Sequence, residues 1–67
     1  MRINKNKLGL AMLNAGVDSI RDLAAASGVS INTISRCSNG GTVKLSTLRR
    51  LAAGLGVPVA EIIKEGG

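Results

Sequence analysis

The sequence has no phenylalanine, tyrosine or tryptophan, and no histidine. Any core it builds is therefore aliphatic, assembled from Leu, Ile, Val, Ala and Met, side chains that suit close helix packing. With no aromatic anchors, a basic amphipathic segment seated in a membrane interface is a poor fit. With no histidine and no cluster of metal-ligating side chains, no nucleophile has a visible base, and enzymatic function has no support. The glycines do not form a strand-to-helix phosphate loop. No catalytic residue, metal, cofactor or small-molecule ligand is expected. The one cysteine, Cys37, cannot close an intramolecular disulfide, and a reducing cytoplasm is its natural setting. No apolar run approaches the roughly 20 residues that span a bilayer. The opening MRINKNKLGL has neither a long enough apolar stretch nor a cleavage site for an export signal.

What is present fits one small globular domain. A chain of 67 residues buries only about 60% of the surface it exposes when unfolded, so its core is small. At 45% hydrophobic it is apolar enough to fold. The net charge is +5 and the isoelectric point is near 10.4. Eight of the nine basic residues lie at or before Arg50, whereas two of the four acids follow it. A basic balance of this kind suits a polyanionic partner, nucleic acid before membrane. Solvated surface is the plainer explanation for Arg2, Lys5, Lys7, Arg49 and Arg50 taken singly.

The hydrophobic spacing predicts an all-α chain of five short helices, since no stretch alternates with period two for long. Met1 to Lys7 reads as a polar, basic lead-in. Asn4 is a plausible cap for a first helix, whose Leu8, Ala11, Met12 and Ala15 share one face. Leu10 and Leu13 point roughly the other way, and Gly16 suits a left-handed terminus. Helix two starts at Ser19, which with Asp22 forms a weaker relative of the capping box. It turns Leu23 and Ala24 inward and ends at Gly28. Val29, apolar within the turn, plugs the core. Helix three runs from Ser30 as cap to about Ser38, with Ile34 and Cys37 inward. Cys37 reads as a small core residue. A redox role is the alternative, with Arg36 alone placed to lower its pKa. Asn39, Gly40 and Gly41 stop the helix. Helix four carries Leu45, Leu48, Leu51, Ala52 and Leu55, the strongest amphipathic pattern in the chain. Ser46 is the best chemical candidate for its cap, although the periodicity already includes Leu45. Gly56 ends it. Pro58 suits the first turn of a fifth helix bearing Val59, Ile62 and Ile63, and Glu65, Gly66 and Gly67 are expected to fray.

Two helices joined by a three-residue turn containing glycine, over about residues 20–38, form a helix-turn-helix. Ala24 is small enough to let the helices approach, Gly28 permits the turn, and Val29 and Ile34 fill the angle. The outward face of helix three is Ile31, Asn32, Thr33, Ser35 and Arg36, slim and capable of hydrogen bonding. Such a face suits the major groove. Asn can bond adenine in bidentate fashion, Arg can do the same to guanine, and Thr and Ile can meet a thymine methyl.

With these residues in view, the chain resembles the Cro/cI-repressor type helix-turn-helix family, often called the XRE family. The resemblance rests on Leu23-Ala24, Gly28-Val29-Ser30, Thr33-Ile34-Ser35-Arg36, Gly40, Leu48, Leu51-Ala52, Leu55-Gly56-Val57 and Glu61-Ile62-Ile63. It covers roughly Asn6 to Lys64, and the order and spacing are specific where single elements are not. It implies a compact four- or five-helix, lambda-repressor-like domain, usually dimeric on operator DNA, and the five-helix form is the one expected here. Carried over position by position, it implies base reading by Ile31, Asn32 and Arg36, with Thr33 beside them. It implies phosphate contacts from Ser19, Asn39, Thr42 and Lys44. Three positions depart from the pattern. Ile20 stands where the family often has Gln, Ser38 where Glu is common, and Val43 where Pro is common.

These observations lead to the expectation of a sequence-specific, double-stranded DNA-binding transcriptional regulator, a phage or mobile-element repressor or Cro-like protein in the cytoplasm. A homodimer on DNA is expected, with Ile63 as its leading contact and Leu10 and Leu13 as alternatives. The competing reading is a protein-interaction module, antitoxin-like or adaptor, using the same fold and the exposed Leu10, Leu13 and Ile63.

Overall fold

A computed structural model describes residues 1–64, so the expected fraying of Glu65 to Gly67 lies outside the described residues. Four α-helices follow in order: α1 (Lys5–Asn14), α2 (Ile20–Ser27), α3 (Ile31–Ser38) and α4 (Leu45–Leu55). A single 3-10 turn, Val59–Glu61, comes after them. The core is aliphatic apart from Cys37, with Leu23, Ile34, Leu48, Leu51 and Ile62 wholly buried at its centre. Fully burying each such side chain is worth about 1.5–3 kcal/mol. No helix of the described residues is long and apolar enough to cross a membrane.

Local chemistry sets most of the boundaries. The Asn4 side chain accepts from the backbone N–H of Asn6 at 3.0 Å and of Lys7 at 3.1 Å, starting α1 as its type predicts. At the other end Val17 N donates to Met12 O at 2.9 Å and Gly16 N to Leu13 O at 3.2 Å. This paired closure satisfies two terminal carbonyls. Ala15 is part of that cap and is exposed, not on the inward face of α1.

Other expectations are corrected. The fifth helix is only a three-residue 3-10 turn. Pro58 is extended (φ −65°, ψ 152°), so it precedes the turn and does not open a helix. Ile62 and Ile63 then leave helical geometry because the backbone there has a better partner. Ile63 forms an antiparallel bridge with Ile3. The bridge is flanked by Asn4 N donating to Ile62 O and Lys64 N donating to Arg2 O, each at 2.9 Å. The cap of α4 is Lys44, not Ser46, and no side chain caps that helix. Val43 before its start and Leu48 after it are both buried.

The same pairing reverses the reading of Met1 to Lys7 as a polar lead-in. Ile3 is a core residue. The segment lies between the chain's end and the loop after α3, where Val43 N donates to Met1 O at 2.8 Å. Ile63 is consequently half-buried against the core. Leu10 and Leu13 remain exposed, at 61% and 74%.

Candidate nucleic-acid interface

The angle between α2 and α3 is held by one side chain and one glycine. Gly28 is left-handed (φ 74°), and its N–H returns to Ala24 O at 2.9 Å. The Ser27 hydroxyl donates to Leu23 O at 2.6 Å and accepts from Val29 N at 3.3 Å. Val29 is thereby turned into the core, where it is buried with Ile34. Ser27 also lies against α4. A Cβ on Gly54 would stand 3.0 Å from three Ser27 atoms, its N, Cα and Cβ. Close approach between α2 and α4 therefore depends on a residue without a side chain.

Helix α3 starts with a reciprocal hydroxyl pair. Ser30 Oγ accepts from Thr33 N at 3.2 Å and donates to Thr33 Oγ1 at 2.8 Å. The pair caps the helix and holds Thr33 half-buried at the edge of the outward face. Ile34 and Cys37 are buried, and Ile31, Asn32 and Arg36 are exposed. Asn32 and Arg36 are spaced i, i+4, so they stand one above the other on the open side. Ser35, expected on that side, is half-buried. Burial pushes the Cys37 thiol above its ordinary value, and neighbouring Arg36 opposes this only in part. Cys37 is thus a protonated core side chain.

The end of α3 uses two glycines for two different reasons. Gly40 takes a positive φ of 93°, which strains any residue carrying a Cβ. Gly41 N donates to Arg36 O at 3.1 Å, and a Cβ on Gly41 would stand 2.8 Å from that oxygen. This tight closure returns the chain alongside α3, so that Thr42 and Lys44 come back toward Arg36. Ser38, at the position where Glu is common, turns its hydroxyl onto its own helix, donating to Ile34 O at 2.8 Å. Val43, at the position where Pro is common, uses the N–H that proline lacks to bond Met1 O.

These turns create a hollow of ≈ 560 Å³ lined by Thr33, Arg36, Gly41, Thr42, Val43, Lys44 and Thr47. Four residues expected at a DNA interface (Thr33, Arg36, Thr42 and Lys44) therefore share one concave surface. Among the described residues two cations line it and no carboxylate does. The uncapped first turn of α4 adjoins it, and the backbone N–H groups of such a turn favour anions. Ile31 and Asn32 are exposed on α3 outside that lining, and Asn39 is exposed at its C-cap. Ser19 stands apart from the hollow at the start of α2, where its hydroxyl accepts from Asp22 N at 3.1 Å. Exposed Ile20 offers no polar group at the position where Gln is frequent. Thr47 is the one polar lining residue that sequence reasoning misses. The signal that could have found it is the true start of α4, which puts this hydroxyl in the first turn.

Among the described residues no group of three or more His, Cys, Asp or Glu is placed to hold a metal ion. A family model for the Cro/C1-type helix-turn-helix DNA-binding domain matches residues 7–64. No curated protein and no solved structure matches the chain.

Proposed function

The chain belongs to the Cro/C1-type helix-turn-helix DNA-binding family, and from that premise we propose that it is a sequence-specific transcriptional regulator of the repressor or Cro-like kind. The observation that carries this is the shared hollow beside α3. It gathers Arg36 and Lys44 with the hydroxyls of Thr33, Thr42 and Thr47, and no acid among the described residues lines it. In this reading α3 enters the major groove. Asn32 and Arg36 read base edges, Ile31 and Thr33 contact neighbouring methyl groups, and Thr42 and Lys44 hold the adjacent phosphates. Ser19 and Asn39 hold phosphates at the two flanks. A phage or mobile element and the bacterial cytoplasm are the setting such a small regulator suits.

One recognition helix covers few base pairs, so a homodimer on a two-fold symmetric operator completes the proposal. Its half-sites would lie about 34 Å apart. Leu10 and Leu13 are the best candidates for its contact, being the most exposed large aliphatic side chains on the molecule's described surface. The same exposure is the one observation favouring a protein-interaction module. Selection of binding sites from random duplex DNA, followed by footprinting, separates the two. A recurrent, palindromic site supports the regulator. Failure to enrich any sequence, together with binding that ignores salt, would sink it.

A further inference from the structure

The pairing of the chain's two ends has an electrostatic oddity. In the antiparallel bridge Ile3 stands opposite Ile63, so Arg2 stands directly opposite Lys64. The Lys64 N to Arg2 O bond of 2.9 Å fixes that register. Ile3 is buried and Ile63 half-buried, whereas Arg2 and Lys64 are exposed. Like charges directly opposite one another disfavour the pairing. Both cations line a hollow of ≈ 410 Å³ with Met1, Thr42 and Ile63, and none of its lining residues among the described residues is a carboxylate. Thr42 also lines the hollow beside α3, so the two hollows adjoin. The bond from Val43 N to Met1 O ties the paired ends to that same loop.

We infer that Arg2 and Lys64 form a second backbone clamp, holding a phosphate of the bound duplex beyond the stretch that faces α3. The clamp rests on the DNA-binding reading and extends its footprint to the paired chain ends. A phosphodiester between the two cations converts their repulsion into attraction. The rest of the loop supplies the register, because Thr42 contacts the neighbouring phosphate from the adjoining hollow.

The experiment compares the full chain with the double variant Arg2→Gln/Lys64→Gln, with Arg2→Glu, and with Lys5→Glu as a control of equal net charge. Lys5 is exposed on α1 and lines neither hollow. Affinity for the selected duplex is measured across a salt series, and thermal melting is measured without DNA. The double variant is expected to lower the slope of log K against log salt by about 0.9 for each phosphate no longer neutralised, with the preferred sequence unchanged. Arg2→Glu places opposite charges across the bridge, so it should melt no lower than wild type while binding DNA more weakly than Lys5→Glu. A slope unchanged relative to Lys5→Glu overturns the clamp and leaves the DNA reading standing. If the wild-type chain itself shows no salt-dependent duplex binding, the DNA reading fails and the clamp with it.

Discussion

Arg36 and Lys44 line the same hollow, yet they are expected to respond differently to removal. Arg36 is on the exposed face of α3 with Asn32, whereas Lys44 precedes α4 on a loop. Base-edge contacts carry sequence information and phosphate contacts do not. Arg36→Ala and Asn32→Ala should each cost about 1–3 kcal/mol at one base position and relax the selected sequence there. Lys44→Ala should weaken all sequences alike and reduce the salt slope. Binding-site selection with each variant checks this, and an unchanged site for Arg36→Ala would move the reading face elsewhere. Cys37 gives a second expectation. Its burial favours the neutral thiol, so its contribution to stability is complete below the ordinary thiol value of 9.0. Above that pH the unfolded chain ionises first, and the contribution disappears as pH rises toward the higher folded value. Alkylation of the native protein at neutral pH should therefore be slow and should accelerate on denaturation. Rapid modification of the folded protein would restore a redox role to consideration.

Among the elements, the closest constraint is the meeting of α2 and α4 at Ser27 and Gly54. Replacing a helix-interior glycine with alanine ordinarily gains about 1 kcal/mol, and the gain is smaller in a last turn, where Gly54 lies. Here the new Cβ would press on the Ser27 backbone, and overpacking costs about 1–3 kcal/mol. Gly54→Ala should accordingly lower the melting temperature, and a higher one would mean that the helices separate freely. Helical periodicity and cap residues make α1 to α4 readable from sequence, because Asn4, Ser19, Ser30, Gly28 and Gly56 act locally. The convergence of Thr33, Arg36, Thr42 and Lys44 is foreshadowed by family resemblance, since their spacing alone says nothing about a hollow. The fifth helix is not legible, because Ile62 and Ile63 obey a partner far away in sequence. Ile3 and Val43 escape notice as core residues for the same reason. Each is flanked by polar residues, and neither shows a period until the chain ends meet. Gly54 is equally silent, because its function is to leave room for another helix.

For the whole molecule, assembly and closure are the open properties. If the proposed dimer forms through Leu10 and Leu13, Leu13→Asp should abolish two-fold footprints while leaving the fold intact, because Leu13 is 74% exposed. Sedimentation of the DNA complex checks the stoichiometry. Ile63→Asp is a poorer probe, since Ile63 is half-buried and paired with Ile3, and its replacement would disturb the monomer. That pairing also bears on how the molecule folds. The helices can form from contacts between near neighbours in sequence, but the junction of Ile3 with Ile63 closes almost the entire described chain into one loop. Such a closure carries the largest entropy penalty in the topology, and few backbone bonds reward it. It should be the last part to form and the first to open. Amide exchange at Asn4 and Lys64 should then outpace exchange in the middle of α4, as expected of a low-energy local opening. In that opened species the helix-turn-helix would persist while Val43 parted from Met1, leaving the loop that follows α3 briefly without its brace.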